Sequence, residues 1–398
     1  MKIFHTADWH LGKLVQGVYM TEDQAYVLEQ LILDIESEQP DVVVIAGDLY
    51  DRAVPPTEAV QLLDSVLEKI VLQLKIPVVA IAGNHDSPSR LDFGSGIMKA
   101  AGLHIAGELT YPLNPVVLSD EYGEVHFHLI PYAEPGKVRY LLGDDEIRTH
   151  DDAMRKLTDG LKESLDPNAR HVLVGHAFVT PLGEAEENTS DSERPLSIGG
   201  AEYVSAKHFE GFHYTALGHL HQAHHVGVET VRYSGSPLKY SISEENHKKG
   251  YLIVELDEQG QAKIEKRYLS PRRDMRTVEG LMADIERHPV NEDYVFVRLL
   301  DEAAVLSPME RVRSVYPNAM HVERKRAIAG LVGESSAAGG RAKMDELSLF
   351  KAFYQEVSGS ELSPETEKLF IETLQEIHGK EGERVETSEA DDDSVRAV

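Results

Sequence analysis

Five short apolar runs in this chain each end in side chains that can bind a metal or move a proton, and this repeated ending limits the fold sharply. Residues 3 to 7 run into Asp8 and His10, and 42 to 46 into Gly47 and Asp48. Residues 78 to 82 run into Gly83, Asn84, His85 and Asp86; 172 to 174 into Gly175 and His176; and 215 to 217 into Gly218, His219 and His221. One such ending is an ordinary turn. Five of them predict strands of one layered core whose carboxyl ends converge on a shared site, where open α/β sheets place their sites.

The segments between these runs have helical spacing. Thr21 and Gln24 read as a capping box ahead of Leu28, Leu31, Ile32 and Ile35, and Thr57 as the cap for Val60, Leu63, Leu67, Ile70 and Leu74. The strand–helix alternation, with β-branched runs too continuous for a sheet exposed on one side, predicts an α/β layered domain. Residues 103 to 131 read as further strands, and Thr149 with Asp152 as the cap of a helix carrying Ala153, Leu157, Leu161 and Leu165. The first domain is expected to end near residue 260.

A small α+β unit is expected over residues 261 to 326, as helix 278 to 285, strand 294 to 300, helix 308 to 315 and strand 321 to 326. A Gly/Ala/Ser-rich linker, 327 to 343, leads to two amphipathic helices within 344 to 379, the second capped by Ser363 with Pro364 at its first position. An acidic tail, 380 to 398, follows.

The absence of cysteine removes any disulfide framework and any thiolate zinc site. No apolar run approaches the roughly 18 residues of a membrane span, and the opening residues lack a signal peptide's apolar core, so a cytoplasmic, nucleoid-associated protein without membrane contact is expected. The formal net charge of −28 argues against a simple polyanion binder, although part of the excess lies in residues 184 to 193 and the tail. Arg272, Arg273 and Arg276, with Arg324, Lys325 and Arg326, read either as flanks of a polyanion groove or, equally, as solubility charges on the surface. No phosphate-cradling Gly-rich loop with Lys-Ser/Thr is present, so any ATP chemistry falls to another polypeptide.

Carboxylate, amide oxygen and imidazole together suit borderline divalent ions such as manganese or iron, whereas zinc takes fewer ligands and magnesium seldom recruits so many imidazoles. Asp8, His10, Asp48, Asn84, His176, His219 and His221 exceed what one octahedral ion uses. Two ions sharing a carboxylate would use them fully, and such a pair hydrolyses phosphoesters. Singly, each motif has an ordinary reading as a turn, a helix cap or a hydrogen-bonded loop histidine; their joint order decides for the dinuclear site.

Asp8-x-His10, Gly47-Asp48-x-x-Asp51, Gly83-Asn84-His85-Asp86, a Gly-His and a Gly-His-x-His resemble the signature series of the calcineurin-like metallophosphoesterases over roughly residues 1 to 250. Residues 5 to 12, 46 to 51 and 233 to 241 narrow the resemblance to that family's bacterial DNA-repair nuclease subunits. It implies a layered metallophosphoesterase β-sandwich flanked by helices, a small α+β capping domain, and C-terminal helices that dock on an SMC-like ATPase. It also implies double-strand exonuclease and single-strand or hairpin endonuclease activity on DNA, and a homodimer within a heterotetramer. Of the two divalent ions, manganese is the first choice, with magnesium or iron as alternatives. One would be held by Asp8, His10 and His221 and the other by Asn84, His176 and His219, with Asp48 between them. His85 would act as general acid and Asp51 would orient it. Asp86 is left between a partner of the ligands and a helix cap. The alternative in the same family is a phosphodiesterase or phosphatase for small nucleotides or phosphoproteins.

Overall fold

The computed structural model describes residues 1–184, 190, 191, 193 and 202–324, together with 347, 350, 351, 354, 362–371, 373 and 374. Two six-stranded sheets form the centre. In spatial order, the first comprises Ala262–Tyr268, Gly250–Leu256, Lys2–Thr6, Val42–Ile45, Val78–Ile81 and Leu103–Ala106. The second comprises His224–Val226, Val228–Tyr233, Tyr214–Gly218, Arg170–His176, Gly123–Ile130 and Val116–Asp120.

Alternation along the strands builds three apolar layers. Ile3, Val42, Val44 and Ile81 face Phe127, Val172, Val174 and Ala216 across the space between the sheets. Their neighbours Phe4, Val43, Ile45 and Ala80 turn outward to meet Leu28, Leu31, Ile35, Leu63 and Ile70. On the far side, Leu173 and Leu217 meet Met154, Leu157 and Leu161. Strands buried on both faces need this continuous apolar character, which is why VVVI and VVAI occupy the middle of the first sheet. The result is a β-sandwich with helices on both outer faces.

Two helix starts differ from the sequence expectation. Neither Thr21–Glu38 nor Thr57–Leu67 has a side-chain cap; the cap positions are Met20 and Pro56. The Gln24 amide turns inward instead, as described below. The third expectation holds, with Thr149 Oγ1 accepting from Asp152 N at 3.1 Å and Asp152 Oδ2 from Thr149 N at 3.1 Å.

The first sheet extends past residue 260, because Ala262–Tyr268 pairs antiparallel along the whole of Gly250–Leu256. The following unit is a three-stranded parallel sheet, Met275–Gly280, Tyr294–Leu299 and His321–Arg324, with short helices Met282–Ile285 and Pro308–Arg313. The helix expected over 278 to 285 is thus half strand: Val278 pairs with Val297 and packs in a core with Val295, Leu299, Val312 and Tyr316.

Contacts divide the chain at residue 327. Of the second unit, described by itself, the Phe350 and Phe370 rings stack at 3.8 Å, Lys351 pairs with Glu367, and Ser363 Oγ accepts from Thr366 N at 3.2 Å as the expected cap. The linker of 327 to 343 and the tail of 380 to 398 lie outside the described residues, as does part of the 344 to 379 segment.

Candidate metal centre

Parallel register brings the polar endings together. Gly218 pairs with His176, so His176 and His219 leave adjacent strands at one level, and Thr6 pairs with Ile45, setting Asp8 beside Asp48. Asp8, His10, Asp48 and His219 all adopt positive φ, at 53°, 45°, 50° and 110°. Aspartate and histidine tolerate this region better than most residues, and the strain is held by Asp8 N to Gly47 O at 3.0 Å and His10 N to Asp48 O at 2.9 Å. Two glycines let the loops meet: a Cβ on Gly83 would lie 2.2 Å from Asp48 Oδ1, and one on Gly218 would lie 1.9 Å from Ala46 O.

All seven residues expected at the ions converge. Asp48 Oδ2 lies between two rings, 3.6 Å from His10 Nε2 and 3.4 Å from His176 Nε2. On one side, His10 Nε2 and His221 Nε2 are 3.1 Å apart. On the other, Asn84 Oδ1 is 2.9 Å from His176 Nε2 and 3.3 Å from His219 Nδ1. Nitrogens bound to one ion at about 2.1 Å sit about 3 Å apart in adjacent positions.

Hydrogen bonds aim the rings. His176 Nδ1 donates to Ala46 O at 2.9 Å, and His221 Nδ1 donates to Glu244 Oε1 at 3.1 Å, so both Nε2 atoms face inward. Asp8 Oδ1 accepts from His219 N at 2.9 Å, while the buried Asp8 Oδ2 and His10 Nδ1 have no hydrogen-bond partner. A buried acceptor without a donor is costly unless a cation completes it. This donor set fits divalent ions.

Charge is arranged around Asp48. Burial would raise its carboxyl, but His176, His10 and His85 hold it well below the usual range. Burial would lower His176, yet Asp48 and Asp8 lift it to about 9. Burial, reinforced by His176, pushes His219 well below its ordinary value.

His85 sits at the edge, its side chain 11% exposed. Its N–H donates to Asp48 Oδ1 at 2.8 Å and its Nδ1 to Asp51 O at 2.9 Å. The Asp51 contact therefore differs from the expected one: the main-chain carbonyl orients His85, and the carboxylate, 4.0 Å from His85 Nδ1, is drawn to Lys13 Nζ at 2.8 Å. Asp51 also lies 3.6 Å from His10 Nδ1. His10, Asp51 and His85 form a third potential ligand cluster besides Asp8-His10-His221 and Asp8-Asp48-His176, but the Lys13 ammonium already balances it. Asp86 is neither a contact of the ligand atoms nor a helix cap. Its carboxylate accepts from Leu49 N, Tyr50 N and Gly83 N at 3.0, 2.9 and 3.0 Å, clamping the Asp48 loop to the Asn84 loop.

Sequence reasoning missed three supports. Gln24 Nε2 donates to Trp9 O, His10 O and Tyr240 Oη at 3.0, 2.7 and 3.1 Å, fixing the first loop; its one signal was a polar residue in a helix's apolar stripe. Glu244 and Lys249 are buried side by side behind His221, and nothing in their spacing marked them. Nor are the arginines around the small parallel sheet free. Arg273 pairs with Asp23 at 3.0 Å, Arg276 with Asp293 at 2.8 Å and Arg272 with Glu22 at 3.8 Å. Arg324 Nη1 donates to Glu302 O at 3.4 Å, while Lys325 and Arg326 lie outside the described residues.

Residues 1–223 match the model of the calcineurin-like phosphoesterases, and residues 271–358 match the SbcD C-terminal model, described as the type 5 capsule protein repressor C-terminal domain. The SbcD subunit of nuclease SbcCD from Staphylococcus epidermidis is 35% identical over 370 residues, 91% of this chain and 95% of that protein. Among solved structures, a dimetal phosphatase from Danio rerio is 13% identical with a TM-score of 0.39, covering 67% of this chain and 96% of its own. The protein TT1561 of Thermus thermophilus is 11% identical with a TM-score of 0.38, covering 68% and 99%. No described helix is long and apolar enough to cross a membrane. With the strand ends that carry the candidate ligands inside the first matched segment and the small parallel sheet inside the second, the chain belongs to the calcineurin-like phosphoesterase family, in the company of the SbcD nuclease subunits.

Proposed function

We propose that this chain is a manganese-dependent DNA nuclease subunit that works with the SMC-like ATPase SbcC, cutting double-stranded ends and single-stranded or hairpin DNA. The carrying observation is the Asp48 carboxylate oxygen set between His10 and His176, the bridging position of a dinuclear phosphoesterase. The name of the staphylococcal relative, a subunit of nuclease SbcCD, supports the substrate and partner.

On this reading Asp8, His10 and His221 would hold one ion, Asn84, His176 and His219 the other, with Asp48 between them. When bound, such ions polarise the phosphoryl group and lower the pKa of water. The chain's own part is positional. The Asp86 clamp and Gln24 keep the loops in register, and the His85 main chain is fixed by Asp48. With Nδ1 committed to Asp51 O, the His85 ring has Nε2 left to give a proton to the leaving oxygen. Burial lowers this ring from its ordinary value, and Asp48 opposes that shift.

The 261 to 326 unit acts as a capping domain, the helices of 344 to 379 dock on SbcC, and the complex is a heterotetramer built on a dimer of this chain. Cleavage of labelled duplex and hairpin DNA with manganese, with and without SbcC and ATP, tests the reading. No cleavage by folded protein under any of these conditions overturns it, and turnover of cyclic nucleotides or phosphopeptides in its place would establish the small-substrate alternative.

A further inference from the structure

The two halves of the site are supported unequally. On the His219 side the aligned ring, His176, leans on a neutral carbonyl, Ala46 O. On the His10 side the aligned ring, His221, leans on a carboxylate, Glu244, which is fully buried. Glu244 is held in turn by the buried Lys249, whose Nζ contacts Glu244 Oε2 and donates to His221 O at 2.9 Å and Ser236 Oγ at 2.8 Å. Glu193 Oε1 also accepts from His221 N at 2.6 Å.

An ionised carboxylate only accepts, so Nδ1 of His221 must carry the proton and Nε2 must present its lone pair. Beyond fixing the tautomer, the negative charge raises the basicity of the ligating nitrogen, which a neutral carbonyl does far less. Lys249 ties together three segments, at His221, Ser236 and Glu244, so the carboxylate and the main chain bearing His221 keep one fixed separation.

Resting on the dinuclear reading above, we propose that Glu244 is a positioning residue that selectively sets the affinity of the ion held by Asp8, His10 and His221, leaving the ion of Asn84, His176 and His219 largely untouched. Loss of such a carboxylate lowers metal affinity about 10- to 100-fold. The neutral isostere Glu244→Gln strips the charge with little change of shape, but it leaves Lys249 buried beside a neutral group. A double variant, Glu244→Gln with Lys249→Met, removes both charges and keeps that corner neutral.

The measurement is manganese binding to the full-length chain by titration calorimetry, with bound metal counted after gel filtration. Wild type is expected to bind two ions; if it binds none, the dinuclear reading itself fails. With two bound to wild type, both variants are expected to keep one ion at unchanged affinity and to weaken the second about 10- to 100-fold. Equal weakening of both ions, or no weakening of either in the folded double variant, overturns the proposal. If neither variant folds, the wild-type ring decides: nitrogen NMR of metal-free protein is expected to show His221 protonated at Nδ1, and protonation at Nε2 overturns the assignment.

Discussion

Replacing His85 with alanine separates metal binding from proton transfer. The residue's anchoring bond to Asp48 runs through its main-chain N–H, at 2.8 Å, and survives the substitution. What disappears is the ring, with its bond to Asp51 O and its Nε2 at the site's edge. Metal occupancy should therefore stay at the wild-type level while cleavage falls. General acid catalysis contributes about 10²- to 10⁴-fold, so the barrier should rise by about 3 to 5 kcal/mol. The size should depend on the leaving group: a DNA sugar oxygen needs a proton, whereas an activated aryl diester releases an anion that does not. Steady-state kinetics on both substrates, with bound metal counted in the same preparations, gives the answer. Equal losses on the two substrates would refute the acid role, and loss of an ion in the variant would refute the assignment of His85 outside the ligand set.

Three further perturbations follow. Gly83→Ala drives a methyl to 2.2 Å from Asp48 Oδ1 and 2.4 Å from its main-chain N, so metal binding and cleavage should fall together; an active alanine variant would mean the loops have room they lack here. Gln24→Ala removes one donor from each of the buried carbonyls of Trp9 and His10, which keep Tyr240 Oη and Lys13 N as donors, so each lost bond should cost about 0.5 to 1.5 kcal/mol, read as a lowered urea midpoint with an unchanged slope. Burial, with His171 and His126 nearby, lowers His128 from 6.5 to about 4. The unfolded chain thus binds the extra proton first, and stability is lost as pH falls below about 6.5. About 2 kcal/mol should go between about pH 7 and 5 from this residue, and wild type should lose that much more than His128→Gln in chelator; equal losses would exclude it.

The strand ends were legible because their chemistry is unusual for the ends of apolar runs, and the parallel register then had few ways to avoid bringing them together. The α/β layering followed from the doubly buried runs, and the sandwich from the family resemblance. Less legible was anything that depends on main-chain atoms. Thr21 and Thr57 carry the residue types of a cap, yet Met20 and Pro56 already set the entry of each chain segment, and no side chain is needed there. Glu244 and Lys249 lie in a stretch with no periodicity, and only the return of the chain after His221 puts them behind that ring.

Asp51 and Asp86 show most clearly why residue type underdetermines role. Both are aspartates beside a proposed ligand or acid, and both suggest a carboxylate acting on a ring. In Asp51 the carboxylate faces a closer competitor, Lys13 at 2.8 Å, so the carbonyl is left to face His85. In Asp86 three N–H groups converge within 3.0 Å, so both oxygens already accept from the main chain and neither is offered to a ring. The consequence for Asp86 is mechanical: it ties the loop carrying Asp48 to the loop carrying Asn84, beside both the proposed bridge and a proposed ligand. Asparagine there would place an amide group against one of those donors, so the separation of the two halves of the site should loosen even though no ligand atom has changed. Calorimetric titration of Asp86→Asn with manganese should therefore show both ions bound more weakly, and wild-type affinities in that variant would mean the clamp does not set the spacing.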